Sequence, residues 1–477
     1  MLLTRRITVT TPIDSPGRRS TLVVSASHSL DRLVVSADDG NAVSDAGLLV
    51  AASLGQRLGL PGLLREHVTV PGSLGAHPDD KCLTVIHSLL AGGDCIDDVA
   101  ALRAVSTQAV LGHRVAAPST VGSFLRAFGF NHARQLDAVA RRLLARAVAA
   151  GASPCLSESA TVDIDSALCE TFGLGKAGAW EVMRTGRRGY HPLLAVIAGT
   201  GDVAHARLRR GRSNDATAAP VFIKETIGRL RAAGAAGELV LRMDSGFYLH
   251  DVVAACRAAR VRFSNGARMI GNLKHVIPAI DEAAWSPIDY FLPGAAVTEI
   301  CWTPFTQDTR GHDRPDPLPV RLIVRRTPCT DALARNTGRA GQQALFPVCD
   351  YHPFITDRDG PMLDLETDHR RHAEVELAIR DLNGMGLAHL PTKSFGGNAA
   401  WLVLNTIAHN LTRWTARLGL HLGRVTTKTF RRKIYTVGAR ITRTACRLHL
   451  HLPSAWPWAD ALLTALHRIR SRPPPAG

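Results

Sequence analysis

Apolar positions recur at two different periods along this chain, and the changes of period divide it. From Ala46 to about Ala150 they fall at three- and four-residue intervals, as in DAGLLVAASLGQRLGL, KCLTVIHSLLAGG and ARQLDAVARRLLARAVAA. That spacing gives each segment one apolar stripe and predicts helices. Ser119 in APSTVGSFLRAF follows a proline and precedes such a run, which predicts a helix cap there. The first 45 residues are rich in Ser, Thr, Asp and Gly with only short apolar runs, and predict a flexible arm.

At Thr161 the period drops to two. VDIDSA, GYHPLLAVIAGTG and AHARLRR read as three successive strands. A helix over about 216–232 follows, then ELVLRMD as a strand, YLHDVVAACRAA as a helix and VRFSNGA as a fifth strand. Three strands, then helix, strand, helix, strand, predict an α/β sheet with an antiparallel start. Over 267–366 the runs VTEICWTPF, VRLIVRRT and ALFPVCDYHPFITD, separated by Pro-, Gly- and Asp-rich turns, predict an inserted β subdomain. Helical spacing returns in AEVELAIRDLNGMG and GNAAWLVLNTIAHNLTRWTARL and gives way to the basic segment TTKTFRRKIYTVGARITRTACRL. The reading is thus an arm (1–45), a helical unit for DNA binding or dimerisation (46–155), an α/β domain in two parts (156–266 and 367–450) around the β insertion, and a tail (451–477).

Charge narrows the class of partner. Against 41 Asp+Glu there are 57 Lys+Arg, a net +16 with a pI near 10.0. A surplus of that size on a 477-residue chain points to a polyanion, most simply nucleic acid. Nine cysteines lie far apart with no C-x-x-C pair, which predicts reduced thiols rather than a disulfide framework or zinc module. His449 and His451 in H-L-H read as a solvent-facing stripe rather than metal ligands. No apolar run reaches the length of a signal sequence or membrane span, so the expectation is a cytoplasmic, nucleoid-associated protein.

Three carboxylates stand out by position. TVDIDSALCE places Asp163 and Asp165 on the same face of one strand, a costly arrangement without a cation or a metal. Asp244 in LRMDSGFY ends another strand, where ligands of α/β sheets gather. Glu376 lies on the helical run AEVELAIRDL. Three such acids in a basic chain fit a site for two divalent ions that catalyses phosphoryl transfer, with hard oxygen ligands suited to Mg²⁺ or Mn²⁺.

This order of residues resembles the DDE transposases of bacterial insertion sequences. The matching pieces are D-S-A at Asp165 to Ala167, RRGYHPLLAV from Arg187, MDSGF from Met243 and H-x-x-H-x-x-x-E-x-x-I-x-x-L-N from His369 to Asn383. GNAAWLVLNTIAHNLTRW is similar to that family's C-terminal helix, and together the pieces span about residues 45–450. The resemblance implies an RNase H-like mixed sheet flanked by helices, with a β subdomain inserted before the helix of the final glutamate. It assigns Asp165, Asp244 and Glu376 as catalytic residues and as ligands of two Mg²⁺ ions, with Mn²⁺ as a substitute. It leaves Asp163 as a supporting carboxylate. His369, His372 and Asn383 stand where relatives carry Tyr, Arg and Lys; Arg371, His372 and Arg380 are then the residues expected against DNA phosphates. The implied partners are double-stranded element ends and target DNA, with a homodimer in the DNA complex. A structure-specific nuclease and a DNA-binding protein without activity are the alternatives. Trp302, in the insertion, reads as packing rather than as a stacking platform for a flipped base.

Overall fold

The computed structural model describes residues 31, 33–172, 174–181, 186–214, 217–288, 290–308, 310–316, 318–328 and 349–472. Most of the expected arm, residues 1–30, and the last residues of the expected tail, 473–477, lie outside them.

The helical stripes of the N-terminal region become α1 (Leu48–Arg57), α2 (Leu60–His67), α3 (Pro78–Ala91), α4 (Val105–Leu111), α5 (Pro118–Arg126) and α6 (Phe130–Ala149). Ser119 does not cap α5. The helix starts one residue earlier, at Pro118, with Ala117 as its cap residue, and Ser119 sits exposed in the first turn. Proline wins because its fixed φ is preorganised for the first helical position and its missing N–H is not needed there.

The region of period two forms β1 (Ser159–Ser166), β2 (Leu193–Ile197), β3 (Asp202–Arg207), α7 (Ala219–Ala232), β4 (Glu238–Met243), α8 (His250–Ala258) and β5 (Arg262–Gly266). The second predicted strand is divided at Pro192. Its first part, Arg188–Tyr190, pairs instead with Cys169–Glu170 and Trp180–Glu181 in a small separate sheet.

The insertion supplies β6 (Ala296–Trp302), β7 (Val320–Pro328) and β8 (Cys349–Thr356). These strands extend the first sheet: β8 pairs antiparallel with β5, and one nine-stranded sheet runs from the short strand Ser286–Pro287 through β6-β7-β8-β5-β4-β1-β2 to β3. Only the β5–β4 and β4–β1 pairs are parallel. The result is a mixed sheet flanked by helices, with the antiparallel start read from the sequence.

After the sheet come α9 (Met362–Arg370), α10 (Val375–Leu382) and α11 (Phe395–Leu420), then the hairpin β9 (Ala439–Thr444) and β10 (Arg447–His451) and α12 (Ala459–Arg470). Within the expected tail, α12 buries Leu462, Ala465 and Ile469 and packs on α11 and α1. α11 is the central post. It is capped by the Ser394 hydroxyl, which accepts from Gly397 N, and its Trp401 and Trp414 are buried. It also carries polar residues into the core, each with a backbone task. The Asn410 side chain accepts from Val203 N and donates to Val203 O, both at 2.8 Å, so it occupies hydrogen-bonding groups on the edge strand β3. Buried Asp202 accepts from Ser153, Trp414 and Arg417, which ties the helix to the same strand.

Candidate active site

The parallel pairing of β1 with β4 positions the acids. Its register sets Asp163 beside Arg242 and Ile164 beside Met243, and Asp165 and Asp244 are the residues that follow this last rung. In-register residues of neighbouring strands point to the same face about 4.8 Å apart. Ile164 and Met243 are fully buried on one face, which leaves Asp165 and Asp244 on the other, at the carboxyl ends of their strands. Local bonds hold both carboxylates: Asp165 Oδ1 accepts from Ser166 N at 2.7 Å, and Asp244 Oδ1 accepts from Gly246 N at 3.0 Å. The second bond caps the turn Ser245–Phe247 and ends the strand. Gly266 lets β5 lie close beside that turn. A Cβ on it would meet Ser245 N at 2.7 Å and Asp244 C at 3.1 Å.

One rung below, Asp163 is committed elsewhere. Arg242 donates from Nε and Nη2 to its two oxygens, at 2.7 and 2.9 Å, with both side chains 1 % exposed. This fork is the strong, planar form of the ion pair. Burial by itself would lower the Arg242 pKa, but the bonds to Asp163 and the charges of Asp163, Asp368 and Glu374 raise it above the usual value. Arg242 also donates to Asp368 at 3.0 Å, which joins β4 to the end of α9. The His372 ring places Nδ1 3.1 Å from Asp163 Oδ1, while its Nε2 is buried with no hydrogen-bond partner among the described residues. His369 stacks on Phe354 with ring centres 4.1 Å apart and bonds Ser264 Oγ at 2.8 Å. Burial first, then the charges of His372 and Arg242, push it down to about 3, so it is a neutral packing group.

Glu376 lies exposed in the first turn of α10, the helix that packs on β1. The chain runs alongside the strand in the same direction. Asp368, Arg371 and Glu374 share a cavity of about 360 Å³ with Ser159, Ala160 and Thr161 at the start of β1, and His372 reaches Asp163 further along. Glu376 follows His372 by four residues, the spacing of one helical turn. Asp165, Asp244 and Glu376 do not all bring carboxylate oxygens within 4.8 Å of one another. Glu374, at the edge of that cavity, pairs with Arg424. Arg371 is exposed and lines the cavity at the start of β1, and exposed Arg380 lines a groove with Gly201, Asp381 and Arg424. Trp302 is half-buried and packed against the core.

Among the described residues, two other groups bring three ligand atoms together, and each has another account. Asp137, His205 and Glu225 converge but are already neutralised by Arg134, Arg207 and Arg229. Burial and those arginines lower the His205 pKa well below its ordinary value. In the group Asp94, Cys95 and Asp98, Asp98 closes a turn by accepting from Asp94 N and Cys95 N.

Comparison with known proteins decides the family. A family model described as transposase DDE domain, group 1, matches residues 26–474. The chain belongs to the DDE transposases. Among solved structures, this transposase is similar to a cryo-EM piggyBac transposase synaptic complex with hairpin DNA. The identity is 10 % and the TM-score 0.44, over 82 % of this chain and 80 % of the other. No curated protein matches it. No helix among its described residues is long and apolar enough to cross a membrane.

Sequence reasoning missed Arg242, Asp368 and Gly266 in this transposase. A signal existed for the first: an arginine inside the apolar strand ELVLRMD must find a buried anion, and Asp163 was the carboxylate lacking a role. Asp368 and Gly266 carried no comparable signal, because their tasks exist only across the sheet.

Proposed function

We propose that this transposase binds the ends of its own element, cleaves them and joins the freed 3′-hydroxyls to target DNA, using Asp165, Asp244 and Glu376. The observation that supports this reading most is that Asp165 and Asp244 each follow the last paired rung of two parallel strands, Ile164 beside Met243, with Asp163 and Arg242 neutralising each other one rung earlier. The donor set is all carboxylate oxygen, which fits a hard divalent ion such as Mg²⁺ or Mn²⁺ and not a soft one. Asp165, Asp244 and Glu376 would hold two such ions; when bound, they supply Lewis acidity for the attacking oxygen and neutralise charge on the leaving one.

The chain itself supplies position. The Asp163–Arg242 fork and the His372 contact tie β1, β4 and the approach to α10 to one another, and positioning of this kind is what phosphoryl transfer asks of a protein. Arg371 and Arg380 contact backbone phosphates, and His372, whose Nδ1 lies 3.1 Å from Asp163 Oδ1, supports the same stretch of chain. Joining two ends requires two such sites, so the active complex on double-stranded DNA is a homodimer.

The test is a cleavage and strand-transfer assay with labelled element ends in Mg²⁺. Asp165→Asn, Asp244→Asn and Glu376→Gln should each abolish nicking while DNA binding survives. Nicking without any joined product would make the chain a structure-specific nuclease instead. Wild type that binds ends but never cuts them, in Mg²⁺ or Mn²⁺, would make it a binding protein.

A further inference from the structure

The hairpin that leaves β1 beyond Asp165 ends in an exposed aromatic and basic lip. Past Ser166 the chain keeps pairing outward, with Cys169 opposite Tyr190 and Glu170 opposite Gly189. Beyond this pairing, Phe172 is 86 % exposed and Leu174 84 % exposed. Large apolar side chains so free of contact contribute nothing to the fold, and water-exposed pairs of them mark contact surfaces. Their neighbour Trp180 carries the Arg212 guanidinium 3.4 Å over its ring, with Arg188 at 6.0 Å. Gly211 fixes this stack: a Cβ there would strike Gly189 O and the Trp180 backbone, so the loop bearing Arg212 can lie against the small sheet.

The charge around the lip selects the occupant. Glu170 is paired with Arg187, and Arg188 and Arg212 both lie over Trp180. A second copy of this chain, at net +16, would bring like charge to a like-charged surface; a polyanion with flat apolar faces would not. We infer that the lip is a DNA-unstacking element, with Phe172 inserting beside a base of the element end and the Trp180–Arg212 stack receiving the adjoining strand. Apolar wedges between base steps, with arginine and aromatic planes for the displaced base, are a general way to unstack DNA. Phe172 lies seven residues along the chain from Asp165, so its backbone is at most about 25 Å from that acid. That corresponds to about seven base steps. This inference rests on the transposase reading above.

The experiment uses full-length protein without divalent metal and element-end duplexes carrying 2-aminopurine at successive positions within that distance of the cleavage site. Binding by wild type should raise the fluorescence several-fold at one or two adjacent positions. Asp165→Asn should keep that rise, Phe172→Ala should remove it while the protein still binds, and Phe172→Trp should restore it. Binding by wild type without a rise at any position would overturn the inference and leave the transposase reading intact. A rise that survives in Phe172→Ala would place the unstacking element elsewhere. Failure of Phe172→Ala to self-associate, with its fluorescence response unchanged, would assign the lip to a second copy. Absence of DNA binding altogether would overturn both readings.

Discussion

Asp163 and Arg242 face each other across two parallel strands, two residues before Asp165 on one and two before Asp244 on the other. Two carboxylates two residues apart on one strand therefore have opposite fates. Asp163 is sealed by a guanidinium and supports the fold, while Asp165 stands at the strand end where a substrate can reach.

Breaking that fork should cost stability. Removing one partner of a buried ion pair leaves an uncompensated charge, worth about 3–5 kcal/mol. Arg242→Met and Asp163→Leu are each expected to lower the urea midpoint accordingly, and the variant carrying both to lose less than the sum of the two. Strict additivity in the double-mutant cycle would show that the fork is not a coupled unit.

Gly266 should be intolerant of a side chain for reasons of position more than of stability. A Cβ would push against Ser245 N and Asp244 C, displacing Asp244 by some tenths of an ångström. Gly266→Ala is expected to reduce nicking by about 10²-fold, the scale of a misplaced catalytic group, for a stability loss of about 1–3 kcal/mol. Nicking at the wild-type rate would show that the turn can shift without moving the acid.

Acid should weaken the fold through buried histidines. Burial first, then Arg413, lowers His409 to about 4, and its Nε2 donates to Gly201 O at 3.0 Å; His369 is lowered to about 3. Both pKa values are depressed in the fold, so the unfolded chain takes up these protons first as pH falls below about 6.5. Stability held above that pH is then lost at about 1.4 kcal/mol per pH unit for each histidine, down to the folded values. Urea midpoints at successive pH values should show this slope, and His409→Gln should reduce it. An unchanged slope in the variant would assign the acid sensitivity to other groups.

DNA affinity should be governed by salt. With a net +16 and an interface of six to ten phosphate contacts, Kd is expected to rise by about 10³-fold or more between 50 and 200 mM salt. Arg371→Ala and Arg380→Ala should each reduce the slope of log Kd against log salt by about one. A slope untouched by either variant would remove that arginine from the interface.

The sequence by itself determined what depends on neighbours along the chain. Period and turn residues gave the helices of 46–150, the change to strands at Thr161 and the strand-end location of Asp244, because side-chain direction and burial follow from local spacing. It also marked Asp165, Asp244 and Glu376 as the acids to examine. Tertiary structure alone decided what each charged group faces. Spacing and apolar pattern do not distinguish Asp163 from Asp165, which share a strand and a face. Their difference comes from Arg242, 79 residues away from Asp163, through a register fixed by pairing between strands. Likewise, the β insertion read as a separate unit, yet the pairing of β8 with β5 makes it continuous with the sheet that carries Asp163 and Asp165. Strand edges have hydrogen-bonding groups that any extended segment can satisfy, and which segment does so is settled only when the chain folds.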